Sequence, residues 1–158
     1  MNSRILSVGV LSLGVALTAG AQEAAKSARW SGNFQPVQIR SSSVGMRIQS
    51  RIYGTAELAP VEGSPSRARA RLRFSVQTDG TSFTVQWALV SGRCGSGAIP
   101  VAPLENFPVI EVGSNGRAQL DDELALQLPA SGDYHVNVYL GGQNLDNVIT
   151  CANLKKAS

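Results

Sequence analysis

Residues 83–94 read Phe-Thr-Val-Gln-Trp-Ala-Leu-Val-Ser-Gly-Arg-Cys. Phe83, Val85, Trp87 and Leu89 share one parity, and Thr84, Gln86, Ala88 and Val90 share the other. Apolar residues at every second position mark a strand with one face buried. Ser91 and Gly92 end it, and the Gly- and Pro-bearing segment 91–103 reads as a loop that carries Cys94, the first of two cysteines. A central strand of this kind needs partners on both edges, and the flanking sequence supplies them.

Upstream, Arg67–Thr78 alternates Ala68, Ala70, Leu72, Phe74 and Val76 against Arg67, Arg69, Arg71 and Arg73. Asp79-Gly80 is expected to turn this strand into the next as a hairpin. Met46–Ala59 also has a period of two, with Ile48, Ile52 and Leu58 on the apolar parity, and residues 60–65 hold two prolines and read as a loop. Phe34–Arg40 is a first strand, and Pro36 suits an edge. Downstream, Phe107–Val112 and Arg117–Leu128 are joined by Asn115-Gly116, a further turn covers Pro129–Gly132, and strands come next at Tyr134–Leu140 and Val148–Leu154, the last containing Cys151. No helical period survives anywhere. Eight short strands with turn signals between them predict an all-β fold, an eight-stranded antiparallel Greek-key β-sandwich or flattened barrel.

The beginning of the chain has a different character. Arg4 precedes an apolar run from Ile5 to Ala19, and Ala19-Gly20-Ala21 offers small residues for cleavage. Residues 1–21 therefore read as a secretory signal peptide. Residues 22–31 are expected to be a disordered lead, and 32–155 a single domain. No later segment is apolar and long enough to span a bilayer, so the expected location is periplasmic or secreted. Two cysteines in an exported chain most simply form one disulfide, Cys94 to Cys151, with free thiols for metal or catalysis as the alternative. Charge is unevenly spread: residues 22–93 carry ten Lys and Arg against four Asp and Glu, and residues 94–158 carry three against seven.

The segments VQWALVSGRCG, VGSNGRAQL, YHVNVYL and VITCANL together resemble the Cu/Zn superoxide dismutase sandwich, an immunoglobulin-like flattened barrel, and its looser bacterial relatives, including CHRD-type domains. The resemblance implies a loop cysteine bridged to the final strand, here Cys94 and Cys151. It also implies copper-binding histidines on the fourth and seventh strands, but the matching positions are Ala88, Val90 and the neighbourhood of Tyr139. The family's zinc loop would be Gly95–Glu105, which has no His and no Asp. Copper needs several converging imidazoles and zinc about four N, S or O ligands, whereas this chain has one histidine. The expectation is a degenerate member with no metal, no cofactor and no enzymatic activity; a copper/zinc dismutase-type metalloprotein is the alternative.

Three further features bear on function. His135 lies on the outward parity of its strand and reads as an ordinary surface or hydrogen-bonded histidine. Asp121-Asp122-Glu123 sits within a strand, where a solvated face is a better reading than a calcium site, with Asp122 marking a bulge. The arginine stripe is the positive signal. Arg67, Arg69, Arg71 and Arg73 stand about 6.6 Å apart along a strand, and Arg47 and Arg51 lie beside them if the preceding strand is the neighbour. Guanidinium forks suit phosphate, sulfate or carboxylate. The candidate partners are an anionic glycan, a lipid phosphate or an acidic protein. Aromatic residues are not interleaved with the stripe, which argues against nucleic acid. The competing expectation is internal compensation: in the family's strand order the sixth strand borders the third, setting Asp121 and Glu123 against these arginines.

Overall fold

The computed structural model describes residues 28–36, 49–96, 99–141 and 145–157. The expected signal peptide, most of the expected lead, and Arg47 lie outside the described residues. Eight strands are present: β1 (Trp30–Pro36), β2 (Gln49–Val61), β3 (Ser64–Gln77), β4 (Phe83–Ser91), β5 (Ile110–Val112), β6 (Arg117–Leu124), β7 (Tyr134–Leu140) and β8 (Val148–Lys156). All pair antiparallel and close into a barrel in the order β1-β2-β3-β6-β5-β4-β7-β8.

The alternation that predicted the strands also sorts the barrel wall. Ala68, Ala70, Leu72, Phe74 and Val76 on β3 are buried while the intervening residues are exposed. Ile52, Ala56 and Leu58 from β2 join them, as do Trp87 and Leu89 from β4 and Val136 and Val138 from β7. Rings meet edge to face at Phe34–Phe74, 5.4 Å apart, and at Trp87–Phe107, 5.0 Å apart. The barrel is thus apolar inside and charged outside along β3 and β6, the reverse of a bilayer-spanning barrel, whose outer face is apolar. No helix among the described residues is long and apolar enough to cross a membrane.

Several sequence expectations shift. The fold takes in part of the expected lead: Ala28 and Trp30 are buried, and the Trp30 indole donates to the Pro129 carbonyl at 3.1 Å. Residues 60–65 are not an open loop. The strands continue through both prolines and turn at Glu62-Gly63, with Gly63 at φ 72°. Asp79-Gly80 does turn the chain, but not into a hairpin. β3 pairs with β2 and β6, and β4 with β5 and β7, so this turn crosses from one sheet neighbourhood to another. Pairing runs through Ala70 opposite Asp122 with no change of register, so Asp122 is not a bulge. Its carboxylate instead accepts the Glu123 N–H at 2.8 Å.

The largest correction concerns β4. A period of two predicts one buried face, yet Gln86, Ala88 and Val90 on the outward parity are buried along with Val85, Trp87 and Leu89. The segment after β4 folds back on it. Val101 N–H donates to the Leu89 carbonyl at 2.9 Å, Pro100 bridges Val90, and the Gln86 amide donates to the Phe107 carbonyl at 2.8 Å. The start of this loop crosses outside β7 and β8. There His135 Nδ1 meets the Gly92 carbonyl at 2.9 Å, the Cys94 N–H donates to Asn153 Oδ1 at 2.9 Å, and Cys94 is disulfide-bonded to Cys151 with Cα atoms 5.9 Å apart. Alternation within a strand reports which residues share a face, and here a returning loop buries both faces.

Candidate anion-binding face

Residues opposite one another on antiparallel neighbours point to the same side of the sheet. On the outer face of β2-β3-β6 this gives four rows: Tyr53–Ser75–Arg117, Thr55–Arg73–Gln119, Glu57–Arg71–Asp121 and Ala59–Arg69–Glu123. Arg67 stands beyond the last row, and Arg51 is exposed on β2 where its register with β3 is interrupted. The sequence placed the stripe on one outward face, and the rows place an acidic strand directly against part of it.

The stripe divides. Arg69 Nε donates to Asp121 Oδ1 at 2.6 Å, Arg71 Nε to Asp121 Oδ2 at 3.3 Å, and Arg67 pairs with Glu123 at 3.1 Å. The hydrogen bond from Arg69, with its charge behind it, holds the Asp121 carboxyl below the usual carboxylate range. Reciprocally, the hydrogen bond to Asp121 raises the Arg69 guanidinium further above its ordinary value. A cavity of about 230 Å³ at this end is lined by Arg29, Arg69 and Arg71 together with Glu57, Glu62 and Glu123, so cations and carboxylates balance.

The other end is different. Arg73 is flanked across the strands by Thr55 and Gln119, and Arg117 by Ser75. Neither arginine has an ion pair among the described residues. They border a groove of about 340 Å³ with Tyr53, Ser75 and Gln119, and no carboxylate lines it. Tyr53 is 61% exposed beside them. Gly54 brings β2 close to β3 here: a Cβ at this position would run into the Arg73 carbonyl and the Phe74 main chain.

Of the six arginines singled out from the sequence, Arg67, Arg69 and Arg71 are therefore paired with neighbouring carboxylates, Arg73 and Arg51 have no ion pair among the described residues, and Arg47 lies outside the described residues. Sequence reasoning missed Arg117 and Tyr53. The signal for Arg117 was available: it shares the outward parity of Gln119, Asp121 and Glu123, so any arrangement that sets Asp121 beside the stripe sets Arg117 beside it too.

The positions that would hold metal in a dismutase carry a different chemistry. Ala88 and Val90 are fully buried aliphatics. Tyr139 is a buried phenol whose pKa is pushed up by desolvation, opposed by a hydrogen bond from Asn137. His135 is buried with one ring nitrogen committed to Gly92, and both cysteines are oxidised. Among the described residues no three His, Cys, Asp or Glu side chains cluster. This donor set does not fit copper or zinc. No family model matches this chain, and no curated protein matches it.

Proposed function

We propose that this chain is an exported, non-enzymatic binding module on a Greek-key sandwich of the superoxide dismutase type, which engages an anionic partner through Arg51, Arg73 and Arg117 beside Tyr53. The β3–β6 adjacency and the bridge from the loop after β4 to the last strand support that family reading. The observation that carries the function is the asymmetry of the arginine face. One half spends its guanidinium groups on Asp121 and Glu123, and the other presents two forks over a groove without an opposing charge.

A pair of guanidinium forks side by side on a sheet face suits sulfate, phosphate or carboxylate groups. Retention on heparin and on phosphate resin tests this. Retention should weaken with salt and fall sharply in Arg73→Ser/Arg117→Ser, while Arg67→Ser/Arg69→Ser changes it little, because those cations already have partners. Equal losses in both double variants, or in neither, remove the proposal.

A further inference from the structure

The outward rows continue past β2. Asn33 pairs with Thr55, and Ser31 pairs with both Glu57 and Lys155. The same register, fixed by Ser31 opposite Lys155 and Phe34 opposite Ala152, puts Asn33 opposite Asn153. One row therefore crosses five adjacent strands as Asn153, Asn33, Thr55, Arg73 and Gln119, and all but the guanidinium can both donate and accept hydrogen bonds. A groove of about 960 Å³ runs over β8, β1 and β2, with Asn33, Thr55 and Asn153 in its lining. Lys155 borders it on β8, and Arg93 reaches it from the loop after β4, in an exposed pair with Asp133 at 3.3 Å. Glu57, its other carboxylate, stands opposite Arg71.

Three observations narrow the occupant. The strands under the groove, β8, β1 and β2, are each paired on both sides, so they offer no free edge there to which an extended peptide could add as a strand. The exposed large aliphatics Ile99, Val101, Val109 and Leu145 all lie outside this groove, which argues against an acyl chain or an apolar peptide anchor. From Asn153 to Thr55 the row is neutral and hydroxyl- or amide-bearing, and it then reaches Arg73, with Arg117 in the adjoining row; Lys155 stands two residues along β8 from Asn153, in the row of Ser31 and Glu57. Three strand spacings, about 14 Å, separate β8 from β3.

From this we infer that the groove and the basic end form one continuous site for an acidic polysaccharide: uncharged sugar hydroxyls lie against Ser31, Asn33 and Thr55, and acid groups separated along the chain reach Lys155 at one end and Arg73 and Arg117 at the other. The inference rests on the proposed anion-binding function and adds its ligand class. Affinity should then depend on length, since a short anion reaches one end only, and should depend on the neutral side chains between the ends.

Calorimetric titration with heparin-derived oligosaccharides of increasing length tests this, with linear polyphosphate and polyglutamate of matched charge as comparisons. The octasaccharide should bind at least about ten-fold tighter than the disaccharide and tighter than either comparison polymer. Asn33→Ala/Thr55→Val, two exposed positions, should weaken the octasaccharide about three- to ten-fold, the loss of one or two net hydrogen bonds, and leave disaccharide binding and retention on phosphate resin unchanged. If that variant binds the octasaccharide normally, or if polyphosphate or polyglutamate binds as tightly with the same sensitivity to it, the polysaccharide site is wrong while the anion-binding end stands. If Arg73→Ser/Arg117→Ser also leaves all binding unchanged, the proposed function fails with it.

Discussion

Removing the Cys94–Cys151 bridge has the most calculable consequence. The two residues are 57 apart in sequence, and in the chain-entropy account a link of that span destabilises the unfolded ensemble by about 4 kcal/mol. Total stabilities of domains this size run at about 5–15 kcal/mol, so the variant should remain folded at 25 °C but be clearly weakened. The structure supports survival of the barrel, because the loop keeps other ties: Gly92 N–H to the Asp133 carbonyl at 2.8 Å, His135 to Gly92 at 2.9 Å, and Val101 N–H to the Leu89 carbonyl at 2.9 Å. Cys94→Ala/Cys151→Ala is the right substitution, since Cys151 is buried and Ser would place a hydroxyl there. Urea unfolding, monitored by far-UV circular dichroism and extrapolated linearly, should show a loss near that figure. Hydrogen exchange should quicken most around residues 92–96, whereas β7 amides should quicken by no more than the global loss of stability. A loss under about 1 kcal/mol would refute the reasoning, and so would a variant without native circular dichroism in the absence of urea, because it would mean that the barrel depends on the bridge to close.

The same contacts set three further outcomes. Gln86→Leu should cost about 1–3 kcal/mol in thermal or urea unfolding, because it leaves the Phe107 carbonyl without its buried amide donor; an unchanged midpoint would contradict the buried outer face of β4. Val90→His should destabilise by about 2–3 kcal/mol through overpacking and an added polar ring in a fully buried site, and metal analysis of both this variant and the parent should find no stoichiometric copper or zinc. The lowered Asp121 pKa means that its contribution to stability is complete above the ordinary carboxylate pKa near 4 and is lost as pH falls through the lower folded value. Asp121→Asn should therefore flatten the acid limb of a stability-versus-pH curve below about pH 4, and an unaltered limb would show that the Arg69–Asp121 pair does not couple to folding.

The sequence carried the strands and their parities because one buried face imposes a period of two on each. It did not carry all the neighbours. Asp79-Gly80 has turn chemistry that suits a hairpin, yet the chain crosses over there to a different part of the barrel, since local turn residues do not specify which edge the next strand joins. His135 and Val90 sit at outward parity and would be wet on an open face. They are dry because a loop rich in Gly and Pro, with no period of its own, returns over them and is fastened at Cys151. The arginine stripe was plain in the sequence, but its division was not. Asp121, which pairs with Arg69 and Arg71, comes from a strand about fifty residues later, and within the sequence only a resemblance in strand order pointed to it. The parity of β6 already set Arg117 beside the stripe, but Tyr53 joined it in one row only through the observed register.

Asp121 ties up two guanidinium groups of an arginine face, whereas Arg73 and Arg117 on the same face have no ion pair among the described residues. The dissociation constant of a heparin-derived octasaccharide at low ionic strength, measured for the parent, for Asp121→Asn and for Arg73→Ser/Arg117→Ser, tests it directly. Asp121→Asn frees two guanidinium groups and should tighten binding about two- to five-fold, whereas the arginine double variant should weaken it at least as much. Binding that is unmoved by both changes, or that weakens in Asp121→Asn, would contradict the account.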